Sequence, residues 1–280
     1  MIVWAALAAL LLFVAMPLSV GAEEAPFAEV LEVHQLMLGC ADGYLVRLGD
    51  ISIAIDCGRD TGDGPQRALD ALREAGCGPL TAYIATHYHD DHAGNIVEIL
   101  DAFGTEDTLV IGPTNEPPTK YGPLSCGRWQ VMHAGDELAF GKMTLFCVGP
   151  ETVDGRGGIN KDSLNIVLTY GQRRFLFTGD YVRSHPVGDG YRDAVANVDV
   201  LKFPHHGLQP FCIDPWVLML VNPSVILVPG ATVGQVSRLC AQYDVDAKVY
   251  SIGDGHIVVT TDGATLDVAT HVGETQQLPN

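Results

Sequence analysis

The 280-residue sequence has few basic residues: 16 Lys and Arg stand against 34 Asp and Glu, which leaves a formal net charge of −18. The basic residues form no run anywhere in the chain. A protein that binds long DNA or RNA normally carries a patch rich in lysine and arginine. The composition therefore argues against an extended nucleic-acid surface. It still allows a small anionic substrate whose charge is met by metal ions.

Two further absences limit the chemistry. The seven cysteines form no CxxC pair, which argues against a zinc site built from thiolates. Their odd number leaves at least one thiol without an intramolecular partner, and whether others pair in an oxidising medium stays open. No glycine-rich loop of the kind that cradles nucleotide phosphates is present.

The first 22 residues contain no charged side chain. Small residues at Val20 and Ala22 resemble a signal-peptidase site just before Glu23. An apolar segment of this length could equally span a membrane as an uncleaved anchor. We therefore expect an exported protein, secreted or anchored at the outer face of the membrane. Residues 1–22 are its signal peptide or membrane anchor, and residues 23–280 form a single domain.

From Glu29 onward, short apolar runs alternate with segments of helical spacing. Helices are predicted at 64–76, 93–104, 214–221 and 234–243, and a Pro/Gly-rich loop at 112–128. Strands are predicted at 29–38, 43–49, 51–58, 80–86, 142–149, 163–171, 173–180, 198–207, 224–230, 248–252, 256–261 and 264–269. The order of these elements, in two similar halves, predicts an α/β fold with two packed sheets and helices outside.

The stretch "ATHYHDDHAGN" places three of the ten histidines, His87, His89 and His92, within six residues. A predicted strand ends just before them, so they lie at the carboxyl edge of a sheet, where α/β proteins bind ligands. Three imidazoles in one turn are best explained by a cation that uses their lone pairs. Together with Asp91 they form a nitrogen and oxygen donor set, which suits zinc and also iron or manganese. Asp90 is expected to cap the helix that follows.

Two later strands also end in such residues: "FLFTGDY" delivers Asp180, and "VLKFPHHG" delivers His205 and His206. The succession HxHxDH, GD and HHG resembles the metallo-β-lactamase fold, an αββα four-layer sandwich. The wording of "LEVHQLMLGCADGYLVRLGDISIAIDCG", "NKDSLNIVLTYGQRRFLFTGD" and "KVYSIGDGHIVVTTDG" is similar to the ComEC-like branch. Its members are stand-alone relatives of the hydrolase domain of the competence protein ComEC. This resemblance extends from Leu31 to Asp262.

The resemblance implies a centre of two divalent metal ions, with zinc expected and manganese or iron as alternatives. It implies these roles: His87 and His89 as ligands of the first metal, Asp91, His92 and His206 as ligands of the second, and Asp180 as the bridging carboxylate. It leaves His205 free to contact the substrate or leaving group. Asp91 or Asp180 would orient the attacking metal-bound hydroxide and pass on its proton.

The sequence departs from the family in one loop. The usual third histidine ligand of the first metal is missing from "GPETVDGRGGINKDS", so Glu151, Asn160, Asp162 or water would replace it. Asp56, which ends an early strand, would hold a ligand histidine or the motif loop through a hydrogen bond, or cap a turn. Lys202 would meet a substrate anion, or lie along the sheet with its ammonium in water.

Five other histidines (His34, His133, His185, His256 and His271) are isolated in the sequence and are assigned no function.

The resemblance implies a metal-dependent hydrolase with nuclease-type phosphodiesterase activity. The acidic composition favours a short or small phosphodiester, and the export signal favours one at the cell surface. Two alternatives remain: a lactone or carboxylic-ester hydrolase, and a metal-binding relative without catalysis. The HHG ending and the missing loop histidine argue against β-lactam hydrolysis.

Overall fold

A computed structural model of the chain describes residues 28–116, 119–153, 159–181, 189–208, 212–230 and 233–271. The predicted signal peptide or anchor, residues 1–22, lies outside the described residues. The helices are α1 (Gly64–Glu74), α2 (Asp90–Ala93), α3 (Ile96–Phe103), α4 (Arg192–Val195), α5 (Pro215–Val221) and α6 (Val233–Gln242). Among the described residues, none of these helices has the length and apolar character needed to cross a membrane.

Two mixed sheets form the centre of the fold. The strands are β1 (Leu31–Gln35), β2 (Gly43–Leu48), β3 (Ile51–Cys57), β4 (Ala82–Ile84), β5 (Leu109–Gly112), β6 (Arg128–Val131), β7 (Glu137–Phe140), β8 (Met143–Gly149), β9 (Asn165–Tyr170), β10 (Arg173–Phe177), β11 (Val200–Lys202), β12 (Val225–Val228), β13 (Lys248–Ser251), β14 (His256–Thr261) and β15 (Asp267–His271). The first sheet has the order β15-β14-β1-β2-β3-β4-β5-β6, and the second β13-β12-β11-β10-β9-β8-β7.

The two sheets face each other across one apolar core, and each packs helices on its outer face. In α3, Ile96, Ile99 and Leu100 are buried, which is the i, i+3, i+4 spacing of a helix with one apolar side. In the parallel strand β12 all four residues of "VILV" are buried, as expected for a strand covered on both faces. The predicted two-sheet α/β sandwich with helices outside is confirmed.

Three strands were not predicted: β5, β6 and β7. The short edge strands β6 and β7 contain no buried residue, so their sequences "RWQV" and "ELAF" give a weak apolar signal. The predicted loop at 112–128 differs from the structure at its two ends, because Gly112 is the last residue of β5 and Arg128 is the first residue of β6.

Parallel pairing explains where the motif residues go. In the first sheet β3, β4 and β5 are parallel, and in the second β10, β11 and β12 are parallel. Carboxyl ends of parallel strands open on one edge of a sheet, and side chains that follow them meet there. The loops after β3, β4, β10 and β11 therefore converge on one site.

A second group of histidines lies on the first sheet, formed by His34, His256 and His271. His34 Nδ1 lies 3.1 Å from His256 Nε2, and the ring centroids of His256 and His271 are 6.4 Å apart. These three residues are isolated in the sequence and come together because β15, β14 and β1 are neighbours in the folded sheet. Burial, followed by the neighbouring His34 and His271, lowers the pKa of His256 to about 4.

This depressed pKa predicts acid destabilisation. Between the ordinary value of 6.5 and about 4 the unfolded chain binds more protons than the folded one. Stability contributed by neutral His256 is therefore complete above pH 6.5 and is lost as the pH falls toward 4. His256→Gln should flatten this part of the profile, measured as the free energy of unfolding in urea at several pH values. The exposed His133→Gln is the control, and an unchanged profile in His256→Gln would contradict the interpretation.

Candidate metal centre

The first group of metal-type donors comes from the loop after β4 and from the end of β10. The ring centroids of His87 and His89 are 4.6 Å apart. One ring nitrogen from each histidine and a carboxylate oxygen of Asp180 all lie within 4.8 Å of one another. Two nitrogens and one oxygen at this spacing could hold one divalent ion.

The second group shares Asp180. His92 Nε2 lies 3.1 Å from Asp180 Oδ1, and His206 Nε2 lies 3.3 Å from Asp180 Oδ2. Asp91 Oδ2 is 3.4 Å from the same His206 nitrogen. The two oxygens of Asp180 thus face the second group of histidines while the carboxylate also belongs to the first group. This sharing is typical of a site for two metal ions.

The buried polar atoms indicate that ions fit here. Nε2 of His87, His92 and His206, and Oδ1 of Asp180, are buried and have no hydrogen-bond partner of good geometry among the described residues. Buried polar atoms are nearly always paired, because an unpaired one costs free energy. Coordination of divalent cations would satisfy all four atoms together. The residues that the sequence predicts as ligands are therefore assembled, although ligation itself stays a prediction.

Asp56 connects the ligand loop to the end of β3. Its Oδ1 accepts a hydrogen bond from the Thr86 N–H at 2.8 Å, and its Oδ2 accepts from Thr86 Oγ1 at 2.7 Å. His92 Nδ1 lies 2.8 Å from the same Oδ2. A proton on Nδ1 leaves Nε2 of His92 as the metal-binding nitrogen. These are the contacts expected of a residue that holds a ligand histidine.

The charges around the two histidines of the second group favour their protonated forms in the metal-free protein. Burial alone would lower the pKa of His92, but the Asp180 and Asp42 carboxylates raise it to about 10. Burial is likewise outweighed at His206, where Asp42 and Asp180 raise the pKa to about 12. Conversely, His92 and His206 hold the pKa of Asp180 well below its usual range despite burial. Metal binding at neutral pH must therefore displace protons from these rings.

The backbone at the HHG turn is strained. His205 and His206 have φ of 51° and 53°, in the left-handed region that non-glycine residues seldom adopt. At Gly179 (φ 52°) an added Cβ would lie 2.7 Å from the Ser163 Cβ, so glycine is required just before Asp180. Such strain is commonly concentrated at functional sites.

The sequence leaves Glu151, Asn160, Asp162 or water to replace the missing loop histidine. Glu151 is exposed, Asp162 is buried, and Asn160 Nδ2 lies 3.3 Å from His205 Nε2. His205 Nε2 is in turn 3.8 Å from Asp180 Oδ2. Of the three, Asn160 is therefore connected to the centre through His205.

Two sequence-based interpretations are wrong. Asp90 makes no side-chain cap for α2, and its carboxylate instead pairs with Lys120 Nζ at 2.6 Å. Lys202 is not placed to contact a substrate anion or water, because it is only 2% exposed and its ammonium pairs with Asp42.

None of the seven cysteines forms a disulfide.

Sequence reasoning missed two residues of the site, Asp42 and Arg59. Asp42 is buried behind the histidines and lies 3.0 Å from His206 Nδ1. Arg59 is half-exposed and pairs with Asp91 Oδ2 at 3.1 Å. Asp42 lies 45 residues and Arg59 lies 28 residues before His87, the first residue of the HxHxDH motif, in turns that look ordinary. The only available signal was their place in loops beside predicted strands.

A family profile described as "Metallo-beta-lactamase superfamily" matches residues 41–231. A comparison with curated protein sequences finds no match. Among solved structures, the chain is similar to the metallo-beta-lactamase fold protein YhfI from Bacillus subtilis, with 14% identity and a TM-score of 0.56 over 85% of this chain and 100% of that chain. A mutant of the CmlA beta-hydroxylase is 12% identical, with a TM-score of 0.54 over 81% of this chain and 53% of that one. At these identities the likeness concerns the fold alone.

The geometry predicts different effects for the two adjacent histidines. His206→Ala should remove about one of two bound metal equivalents, because its Nε2 faces Asp180 and Asp91. His205→Ala should retain both, because its ring lies at the border of the centre. Elemental analysis of both variants after metal loading checks this, with circular dichroism to confirm folding. Equal metal content in folded samples of the two variants would contradict the assignment.

Proposed function

The chain belongs to the metallo-beta-lactamase superfamily, and from that premise we propose that it is a metal-dependent phosphodiesterase of the ComEC-like branch. The superfamily is hydrolytic and metal-dependent. The observation that carries the proposal is the position of Asp180 between two groups of donors whose buried nitrogens lack partners. We propose zinc as the metal, with manganese or iron as alternatives, since nitrogen and oxygen donors suit all three.

Each residue has a role in this mechanism. Two divalent ions at such a centre supply Lewis acidity and lower the pKa of water. His87 and His89 would hold one ion, Asp91, His92 and His206 the other, and Asp180 both. Asp91 or Asp180 would orient the attacking water and accept its proton.

His205 is placed to contact the substrate. Its side chain is 23% exposed, more than Asp180 or His206, and lies 3.8 Å from Asp180 Oδ2. Burial lowers the pKa of His205, so its ring is neutral at pH 7. One nitrogen of a neutral imidazole can donate a hydrogen bond to a substrate or leaving-group oxygen.

The charge of the centre supports an anionic substrate. Before metal binding, the carboxylates of Asp42, Asp56, Asp91 and Asp180 are offset by the Lys202 ammonium and by the protonated rings of His92 and His206, which leaves one net negative charge. Two divalent ions that displace the two ring protons would turn this into one positive charge. Arg59 adds an exposed cation at Asp91, and a guanidinium matches the geometry of phosphate oxygens. Net charge of −18 favours a short phosphodiester over a long nucleic acid.

The place of action follows from the N-terminal residues. We propose that residues 1–22 direct export, as a cleaved signal or as an anchor in the membrane, and that residues 23–280 form one hydrolase domain. A phosphodiester at the outer cell surface would then be the accessible substrate.

Two other functions fit particular observations. The same bimetallic chemistry opens lactones and carboxylic esters. The loop without a histidine ligand favours a metal-binding protein without catalysis, if neither Asn160 nor water completes the first site.

An assay with bis(p-nitrophenyl) phosphate tests the proposal. We expect the metal-loaded protein to hydrolyse this diester, activity to disappear with a chelator, and added metal to restore it. Turnover of a lactone alone would favour the ester hydrolase, and bound metal without turnover would favour the non-catalytic protein. Either result would contradict phosphodiester hydrolysis.

Arg59→Ala in the same assay tests the anionic character of the substrate. Loss of a hydrogen bond to a charged group costs about 1.5–3 kcal/mol, so KM for the diester should rise at least tenfold. Arg67→Ala, which removes an exposed arginine paired with Asp63, is the matched control. The same KM in both variants would exclude Arg59 from substrate binding.

A further inference from the structure

Strand β11 contains an unusual buried charge. All three of its residues, "VLK", are buried, and the third is Lys202. Its Nζ donates a hydrogen bond to the Gly179 carbonyl at 2.5 Å, pairs with Asp42 Oδ2, and lies 3.7 Å from Asp180 Oδ1. Lysine is almost never fully buried unless it is paired. This ammonium is therefore fixed between Asp42 and the residue pair Gly179–Asp180.

Asp42 belongs to the same buried group. Its backbone N–H donates to the Asp91 carbonyl at 3.0 Å, and its own carbonyl accepts from the Gly58 N–H at 2.8 Å. Asp42 is thus attached through its backbone to the loop that carries the ligand histidines and to the end of β3. These two bonds hold the Asp42 backbone in place relative to that loop.

Asp42 lies with His92, Asp180 and His206 in a group of donors within 4.8 Å of one another, but it faces a different nitrogen of each ring than Asp180 does. Asp42 contacts His206 Nδ1 at 3.0 Å and His92 Nδ1 at 3.6 Å. The Nε2 atoms of both rings face Asp180 instead. An ion bound between the Nε2 atoms and Asp180 would have the two imidazoles between it and Asp42.

We propose that Asp42 and Lys202 are positioning residues of the metal centre: Asp42 fixes the ring of His206 from behind, and Lys202 fixes the Gly179–Asp180 turn while balancing the Asp42 charge. His92 already has such a support in Asp56, at 2.8 Å from its Nδ1. For His206 the carboxylate in the corresponding place is Asp42, whose Oδ1 lies 3.0 Å from Nδ1 as a charge contact without hydrogen-bond geometry. The proposal rests on the metal centre and is independent of the substrate.

Asp42 and Lys202 together have two effects: Asp42 orients a ligand histidine, and Lys202 compensates the buried charge of Asp42. A ligand histidine requires an acceptor at its other nitrogen to set its orientation and basicity. A lone carboxylate behind the ring would leave a buried charge without compensation, which Lys202 provides. Lys202 Nζ lies 3.7 Å from Asp180 Oδ1 and is itself buried, so it can restrain Asp180 from within the protein.

Variants of the pair separate positioning from folding. Asp42→Asn and Lys202→Met each remove one partner of the buried ion pair and leave the other charge less well compensated, so both should destabilise the protein. The double variant Asp42→Asn/Lys202→Met removes both charges and should recover much of that stability in a thermal melt. It should not recover metal binding, because His206 and Asp180 lose their supports.

The measurement is the Kd of the second metal equivalent, by competition with a chelating dye, together with the visible spectrum of the Co²⁺-loaded protein. In the folded double variant we expect affinity for the second equivalent to fall roughly 10- to 100-fold, the range for residues behind metal ligands. We also expect a changed Co²⁺ spectrum. Asp199→Asn is the control. Asp199 pairs with Arg173 at a distance of 2.7 Å, and neither residue is part of the metal centre. This variant should leave metal affinity unchanged.

Each outcome is decisive. Wild-type affinity and an unchanged Co²⁺ spectrum in the folded double variant would overturn the positioning role. A wild-type protein that binds no metal would instead refute the metal centre itself.

Discussion

The carboxylate of Asp180 is the point on which the site depends. It follows β10 in the second sheet, yet its oxygens face histidines carried by the first sheet and by the turn after β11. Four carboxylates and several imidazoles gathered at one buried edge would repel one another or remain unsatisfied without cations. Lys202 supplies one such cation permanently. The unpartnered nitrogens of His87, His92 and His206 provide places for divalent ions.

The need to balance these buried charges explains several features that would be unfavourable elsewhere in a fold. Asp56, His205 and His206 have positive φ, and a lysine is buried in a central strand. Each is expensive in isolation. Together they direct two carboxylates and the ligand nitrogens toward one place. Hydrogen bonds from Thr86 and His92 to Asp56 fix the first loop, and the Lys202 contacts to Gly179 and Asp42 fix the second.

The sequence predicted most of the fold because its buried strands and helices have clear apolar patterns. The pattern of "VILV" predicts a buried strand and that of "IVEILDAF" predicts a helix, whereas the edge strands "RWQV" and "ELAF" have no comparable apolar pattern. The candidate ligand residues could be picked out for another reason: they follow strands in short recognisable motifs, and ligation by them stays a prediction.

What the sequence could not reveal are contacts between distant segments. Asp42 and Lys202 are 160 positions apart, and an isolated aspartate before β2 has no distinguishing neighbours. Lys202 was therefore interpreted as a surface or substrate-binding lysine. The association of His34, His256 and His271 was missed in the same way, because β1 pairs with β14 at opposite ends of the chain. Charge partners are set by sheet order, which local patterns do not contain.

The most direct test of the central claim is the metal content of the purified protein beside that of Asp180→Ala, measured by elemental analysis. A centre bridged by Asp180 predicts close to two equivalents in the parent protein and a marked loss in the variant. One equivalent or less in the parent, unchanged by Asp180→Ala, would contradict a two-metal centre.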